Sequence, residues 1–259
     1  MSKTALITGA SGGIGYELAL LCARDGFDCI LVARSRDKLD ELAARLESEF
    51  RVKTLVVARD LAKPTAVDEI YEEVSAASMS VDVLVNNAGF PVFGLFTQTD
   101  LRVELEMLQV NVVALTALTK LFLHSMVERR AGRILNLAST AAFEPGPLMA
   151  VYYASKAYVL SLSEALAEET RGTGVSVTAL CPGPTESGFQ ARAAMEHSRL
   201  VRGKKLPTAA KVAAAGVKAM QRGDVVVVPG VRNKLLAASV RFSPRPVVRR
   251  LVHKMSEAK

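Results

Sequence analysis

The chain has 259 residues, half of them apolar and 23% charged, so it can bury a large core. Its three cysteines, Cys22, Cys29 and Cys181, lack metal-ligand spacing; this sets aside a zinc site and a disulfide framework and points to a reducing, cytoplasmic setting. The net charge of +7 is uneven, because from Gln190 onward 16 Lys/Arg stand against three acids, a region suited to an anionic partner.

The first element is the short apolar run from Thr4 to Thr8, read as a buried strand. No charged leader precedes it, and no uninterrupted apolar run approaches the ~18 residues of a membrane span, so neither a signal peptide nor a membrane helix is expected. The run leads into Gly9-Ala-Ser-Gly-Gly-Ile-Gly15 and then a helical pattern over 16–24, with Leu18, Leu21 and Cys22 on one face. Strand, glycine turn and helix together make a glycine pattern a phosphate cradle. Gly9 permits a tight turn, the middle glycines let backbone approach a pyrophosphate, and Gly15 allows close packing of helix on strand. The helix start offers free N–H groups and a positive dipole end to the phosphates.

A second strand over 29–33 ends at Arg34. NAD sites place an acid about 20 residues past the glycines, on the ribose 2′-hydroxyl. Here Ala33 stands near that place and Arg34 follows. An arginine cannot accept from the hydroxyl but pairs well with a 2′-phosphate, so the residues favour NADP(H) over NAD(H).

An amphipathic helix over 37–49 precedes a strand over 52–58 that ends at Asp60-Leu61. A helix over 64–76 leads to a strand over 81–85, closed by Asn86-Asn87-Ala88-Gly89. Two helical patterns follow, over 98–105 and 106–129, the second bearing Asn111. A fifth strand over 133–137 reaches Ser139, and the loop Glu144-Pro-Gly-Pro147 precedes a helix that carries Tyr152 and Lys156 to about residue 171. A sixth strand over 175–180 is followed by Cys181-Pro-Gly-Pro-Thr185. The alternation predicts an α/β fold, a Rossmann-type doubly wound parallel sheet of about seven strands with helices on both faces, in one domain spanning 1–259. Its ligand crevice lies at the carboxyl ends of the strands.

Residues 186–222 are expected to form a substrate lid, including a helix over 208–222 opened by a Thr208 cap. A short seventh strand spans 225–228, and 230–259 form a basic C-terminal extension. There Val247, Val248, Leu251, Val252 and Met255 fall on one side of a helix and Arg249, Arg250 and Lys254 on the other. Such a helix can lie on an anionic membrane, although packing on its own subunit or a neighbour is the favoured reading.

Tyr152 and Lys156 are one helical turn apart on one face. An ammonium near a phenol favours the phenolate and is expected to lower its pKa from ~10, giving a group for general acid/base work. Tyr153 points about 100° away and is assigned to packing.

Thr8-Gly-Ala-Ser-Gly-Gly-Ile-Gly15, Asp60-Leu61, Asn86-Asn-Ala-Gly89, Asn111, Ser139, Tyr152 with Lys156, and Pro182-Gly183 together resemble the short-chain dehydrogenase/reductase family in its compact one-domain form. The wording around the site is similar to bacterial reductases of broad carbonyl specificity. The resemblance implies that Tyr152 exchanges a proton with the carbonyl or alcohol oxygen. Lys156 would lower the phenol's pKa and hold the nicotinamide ribose, Ser139 would donate to the substrate oxygen, and Asn111 would hold a water linking Lys156 to solvent. It further implies that Gly9, Ser11, Gly13, Ile14 and Gly15 line the phosphates and Arg34 the 2′-phosphate. Asp60 and Leu61 would flank adenine, Asn87, Ala88 and Gly89 the adjoining ribose, and Pro182, Gly183 and Thr185 the nicotinamide. The same likeness leads one to expect a homodimer or homotetramer.

The function expected is NADP(H)-dependent interconversion of a ketone or aldehyde and an alcohol on a small apolar substrate. The alternatives are a membrane-associated reductase of acyl or sterol-like lipids and a non-catalytic NADP sensor. Apolar pocket candidates are Phe90, Phe93, Ala141, Met149 and Phe189. Nucleic acid is not an expected partner, because the basic region has few aromatics to stack bases. No metal is expected.

Overall fold

The computed structural model describes residues 3–186 and 206–256. Seven strands form one sheet in the order β3-β2-β1-β4-β5-β6-β7, and every neighbouring pair is parallel. They are β1 (Thr4–Thr8), β2 (Asp28–Ala33), β3 (Thr54–Ala58), β4 (Val81–Asn86), β5 (Gly132–Leu137), β6 (Val175–Leu180) and β7 (Val226–Val227). Chain order reverses between β1 and β4, which opens a crevice at their carboxyl ends.

Alternation along β1 sends Leu6 to one face of the sheet and Ala5 and Ile7 to the other. Helices α1 (Gly13–Arg24), α2 (Arg36–Phe50) and α7 (Ala209–Arg222) cover the Ala5/Ile7 face. On the Leu6 face lie α3 (Ala66–Ala76), α4 (Leu101–Leu108), α5 (Leu115–Glu128) and α6 (Ala150–Glu169). Strands buried on both faces read as continuous apolar runs, which is why β1 and β2 are uniformly hydrophobic.

Two expectations are corrected. Residues 101–128 form one continuous helix, because α4 and α5 are joined by a π-helical turn over Gln109–Ala114. By length and composition this helix could cross a membrane, but its inward face, from Met107 through Val110, Leu118 and Phe122 to Met126, is buried in the core. Second, α7 is no part of a lid: Val212, Ala213, Val217 and Met220 pack with Ala19 and Ala23 of α1 beneath the sheet. As expected, Thr208 opens α7, its hydroxyl accepting from Lys211 N at 3.4 Å. The rest of the expected lid, 187–205, and the pocket candidate Phe189 lie outside the described residues.

After β7 come α8 (Val231–Val240) and α9 (Arg245–Ser256). Helix α9 buries Val248, Val252 and Ser256, spaced four apart, while Val247 and Leu251 stay exposed. The apolar stripe read from the sequence is therefore split between the protein and its surface.

Candidate active site

One crevice of about 1410 Å³ runs along the carboxyl end of the sheet. At its first end the glycine turn is shaped by close approach. Gly9 has φ +68°, and a Cβ there would stand 2.7 Å from Asn87 Nδ2. Thr8 fixes the opposite wall: its hydroxyl donates to Val85 O at 3.2 Å and accepts from Asn87 N and Ala88 N, each at 3.0 Å. Asn87 Nδ2 donates in turn to Thr8 O at 2.8 Å and Gly9 O at 3.2 Å. These bonds stitch the ends of β1 and β4 across the point where the sheet changes direction.

Gly9, Ser11, Gly13 and Ile14 line the crevice, with Asp60, Leu61, Asn87, Ala88 and Gly89. Gly15, expected there too, sits behind the turn: its Cβ position is 2.3 Å from Gly9 O and from Asn87 Nδ2. It keeps the helix close to the turn, so that the unbonded N–H groups at the start of α1 stay near the crevice. Arg34 lies at the far end beside Ser35 and Lys38. Arg34 and Lys38 are exposed, and neither forms an ion pair among the described residues. Arg59 also lines this end, but its guanidinium already meets Glu69 at 2.7 Å and Glu73 at 3.5 Å. A dinucleotide carrying a 2′-phosphate fits this set, with a backbone cradle for its pyrophosphate and two free cations at the adenosine end. The sequence reading named Thr8 without giving it a role and missed Lys38. Lys38 follows Arg34 by four residues, close enough for both cations to reach the same end.

In the middle of the crevice stand Ser139, Tyr152, Tyr153 and Lys156. Ser139 follows β5, and its Oγ accepts from Ala141 N at 3.1 Å and donates to Pro182 O at 3.3 Å. It also hydrogen-bonds with the Tyr152 phenol. Lys156 is buried, its Nζ 5.9 Å from the centre of the Tyr152 ring, and it donates to Leu137 O at 2.7 Å. Burial pulls its pKa down to about 8, with a small opposing pull from Cys181. Burial also pushes Tyr152 up to about 12, and the Ser139 bond offsets only part of this. The expected lowering of the phenol's pKa by Lys156 is thus not found in the protein alone: desolvation raises it, and the only opposing pull comes from Ser139. Tyr153 meets Tyr152 edge to face at 6.1 Å and backs onto Gly146, where a Cβ would fall 2.1 Å from its ring. Burial, then the nearby Glu144 carboxylate, push the Tyr153 phenol upward.

Asn111 does not line the crevice. Buried at 1% exposure, it accepts from Phe90 N and donates to Phe90 O, each at 3.1 Å, and donates to Ser155 Oγ at 3.2 Å. Ser155, absent from the expected set, donates onward to Tyr152 O at 2.7 Å. The chain Phe90–Asn111–Ser155–Tyr152 fixes the helix that bears the phenol against the loop after β4. The π turn places Asn111 there, consistent with π-bulges marking functional positions.

Pro182, Gly183 and Thr185 line the wall beyond Ser139. Gly183 lies against Asn233, which would be 2.7 Å from a Cβ at that position. The substrate end is lined by Phe90, Ala141, Met149 and, unforeseen, by Val248, Leu251, Val252 and Met255 of α9. Phe93 instead packs against the core. Leu148, just before Met149, has φ +67°, and its carbonyl accepts from Gly94 N at 2.8 Å. Such a strained leucine, just before the helix that bears Tyr152, is the kind of backbone outlier that clusters at functional sites.

A family model for short chain dehydrogenase matches residues 3–197. The human very-long-chain 3-oxoacyl-CoA reductase is 34% identical over 188 residues, 70% of this chain and 59% of that protein, so the chain spans about three fifths of that relative. Ketoacyl reductase HetN of a Nostoc strain is 30% identical over 254 residues, covering 95% of this chain and 87% of that one. A short-chain dehydrogenase from Sphingobium yanoikuyae, solved in complex with NADPH, superposes with a TM-score of 0.82 at 30% identity over 93% of this chain and 94% of that one. On these matches the chain belongs to the short-chain dehydrogenase family, a family of oxidoreductases.

Proposed function

We propose that the protein reduces, with NADPH, the ketone carbonyl of a substrate with a long apolar chain, of the 3-oxoacyl thioester type. The observation that carries this reading is the continuity of the crevice. It passes from the glycine turn, by Ser139 and Tyr152, into a lobe of Met149, Val248, Leu251, Val252 and Met255. At about 1410 Å³ it exceeds the ~300–1,000 Å³ of a site for one small molecule. The names of the human and Nostoc relatives support the acyl class, and the NADPH of the Sphingobium structure supports the cofactor that Arg34 and Lys38 favour.

When bound, NADPH supplies the hydride. Tyr152 donates a proton from Oη to the carbonyl oxygen, and Ser139 Oγ hydrogen-bonds to the same oxygen, holding it and stabilising the charge that develops there. A phenol pushed up to about 12 is fully protonated at neutral pH, the state that reduction requires. Lys156 at about 8 is still mostly cationic at pH 7, with its Nζ 5.9 Å from the centre of the Tyr152 ring. It would also hold ribose hydroxyls of the bound cofactor. Asn111 and Ser155 act by position, fixing the backbone at Phe90 and Tyr152.

The test is NADPH oxidation by purified protein across 3-oxoacyl-CoA substrates of rising chain length, with small water-soluble ketones beside them. The reading expects kcat/KM to climb with chain length. A flat series sinks the apolar-chain assignment and returns the site to small ketones and aldehydes; no turnover of any carbonyl leaves only the sensor role.

Self-association rests on outward apolar side chains of the long helices, Leu105, Val113 and Tyr158, which are 56%, 49% and 40% exposed. Light scattering after size exclusion should give a dimer or tetramer.

A further inference from the structure

The stretch over 231–256 has an outer surface, of which Arg232 and Leu251 also border the crevice while the remaining cations, Val231, Leu235, Phe242 and Val247 do not. It carries seven Lys/Arg and no Asp or Glu. Arg232, Lys234, Arg241, Arg245, Arg249, Arg250 and Lys254 are all exposed. The ion pairs among the described residues all lie elsewhere. Set among these cations are Val231, Leu235, Phe242, Val247 and Leu251, exposed by 77%, 66%, 89%, 57% and 56%. Helix α8 buries only Ala237. Water-exposed aliphatic and aromatic side chains on this scale mark an interaction surface rather than a solvated face.

We propose that this α8–α9 surface docks on an anionic lipid bilayer, with Phe242 at the turn between the helices entering the acyl layer and the flanking arginines and lysines meeting lipid phosphates. Charge selects the occupant. A second copy of the same face would set seven cations against seven with no acid between them. Nucleic acid satisfies the charge but leaves Leu235, Phe242 and Val247 in water. A bilayer with anionic headgroups satisfies both at once, as cationic amphipathic surfaces do. The placement of the crevice agrees: Leu236, Val240, Val248, Leu251 and Val252 of the same two helices line its substrate end. A substrate with a long apolar tail then reaches the site from the membrane side without crossing water. Only this last step rests on the substrate class proposed above; the docking itself does not.

The experiment is co-sedimentation of the NADPH-saturated protein with phosphatidylcholine vesicles, with and without phosphatidylglycerol. The expected result is binding to the anionic vesicles that weakens with salt, and little binding to neutral ones. The triple variant Arg245→Glu, Arg249→Glu, Arg250→Glu should lower partitioning at least 100-fold, at ~1 kcal/mol for each charge lost. Phe242→Ser should lower it on the order of 10-fold. None of these residues lines the crevice, so NADPH oxidation with a short, soluble 3-oxoacyl substrate should be unchanged. Equal binding to neutral and anionic vesicles, or none to either, overturns the proposal whether or not turnover is seen. So does a Phe242→Ser protein that binds vesicles normally but has lost a subunit, which would assign the face to a second copy. Loss of turnover with vesicle binding intact would instead count against the enzyme reading alone.

Discussion

The two ends of the crevice are built on opposite terms. At the glycine turn and behind Tyr152, Thr8, Asn87, Asn111 and Ser155 spend their polar atoms on one another and on backbone, and positions 9 and 15 leave no room for a methyl group. At the α8–α9 end the chain makes few buried contacts and leaves cations and large apolar side chains in water. Geometry specifies the crevice from the glycine turn to Tyr152; composition specifies its apolar end. Substitutions should therefore act all-or-none at the first and by degrees at the second.

The largest effect belongs to the proposed proton donor. Tyr152→Phe should cut turnover ~10³-fold while NADPH binding, followed by fluorescence titration, stays near normal. Full turnover in that variant would move the acid to another group. Next comes the turn itself. Alanine is favoured over glycine inside a helix by about 1 kcal/mol, yet Gly15→Ala should lose about 2–3 kcal/mol in urea unfolding, because its methyl meets Gly9 O. Gly12→Ala, where a Cβ meets nothing within 4 Å, should be nearly silent. A similar cost to Arg34→Glu is expected in binding: NADPH affinity down about 100-fold and NADH affinity little changed, measured as Kd.

A smaller effect concerns protons. Lys156 lies at about 8 in the fold against an ordinary 10.5, so between those values the unfolded chain holds the extra proton and stability rises with pH. The buried thiols of Cys22 and Cys181, pushed from 9.0 to about 12, act oppositely from about pH 8 upward, because there the unfolded chain loses those protons first. From pH 8 to 9 the thiols offset most of the climb due to Lys156, so the test is the difference between wild type and Lys156→Met, which should rise by about 1 kcal/mol over that interval. A difference that stays constant would mean that Lys156 does not titrate well below its ordinary value. The smallest contrast is within α9. Val252→Ala should cost about 2 kcal/mol, whereas its exposed neighbour Val247→Ser should stay within about 0.5 kcal/mol.

Legibility in the sequence follows the same division. The alternation of strands and helices, the glycine cradle and the pairing of Tyr152 with Lys156 depend on periodicity and on residues with few conformational substitutes, so they could be read directly, whereas the order of strands in the sheet was not read. Lys156's effect on Tyr152 could not, because desolvation depends on everything packed around the pair. Asn111 could be named but not placed: its partners Phe90 and Ser155 are 21 and 44 residues away. The role of α9 escaped for a related reason. A stripe of five apolar residues looks uniform in one dimension, and only the docked helix shows that Val248 and Val252 face inward while Val247 faces water.

The π turn at Gln109–Ala114 holds one residue more than an α-helical turn would. Deleting one residue there would restore regular α-helix without turning one half against the other, because the wider turn already absorbs the extra residue. Leu118, Phe122 and Met126 anchor the lower half in the core, so the loss would fall on the turn itself and on the register of Asn111 against Phe90. The long helix therefore carries a vernier: one spare peptide unit sets an amide opposite its loop while the faces on either side keep their alignment.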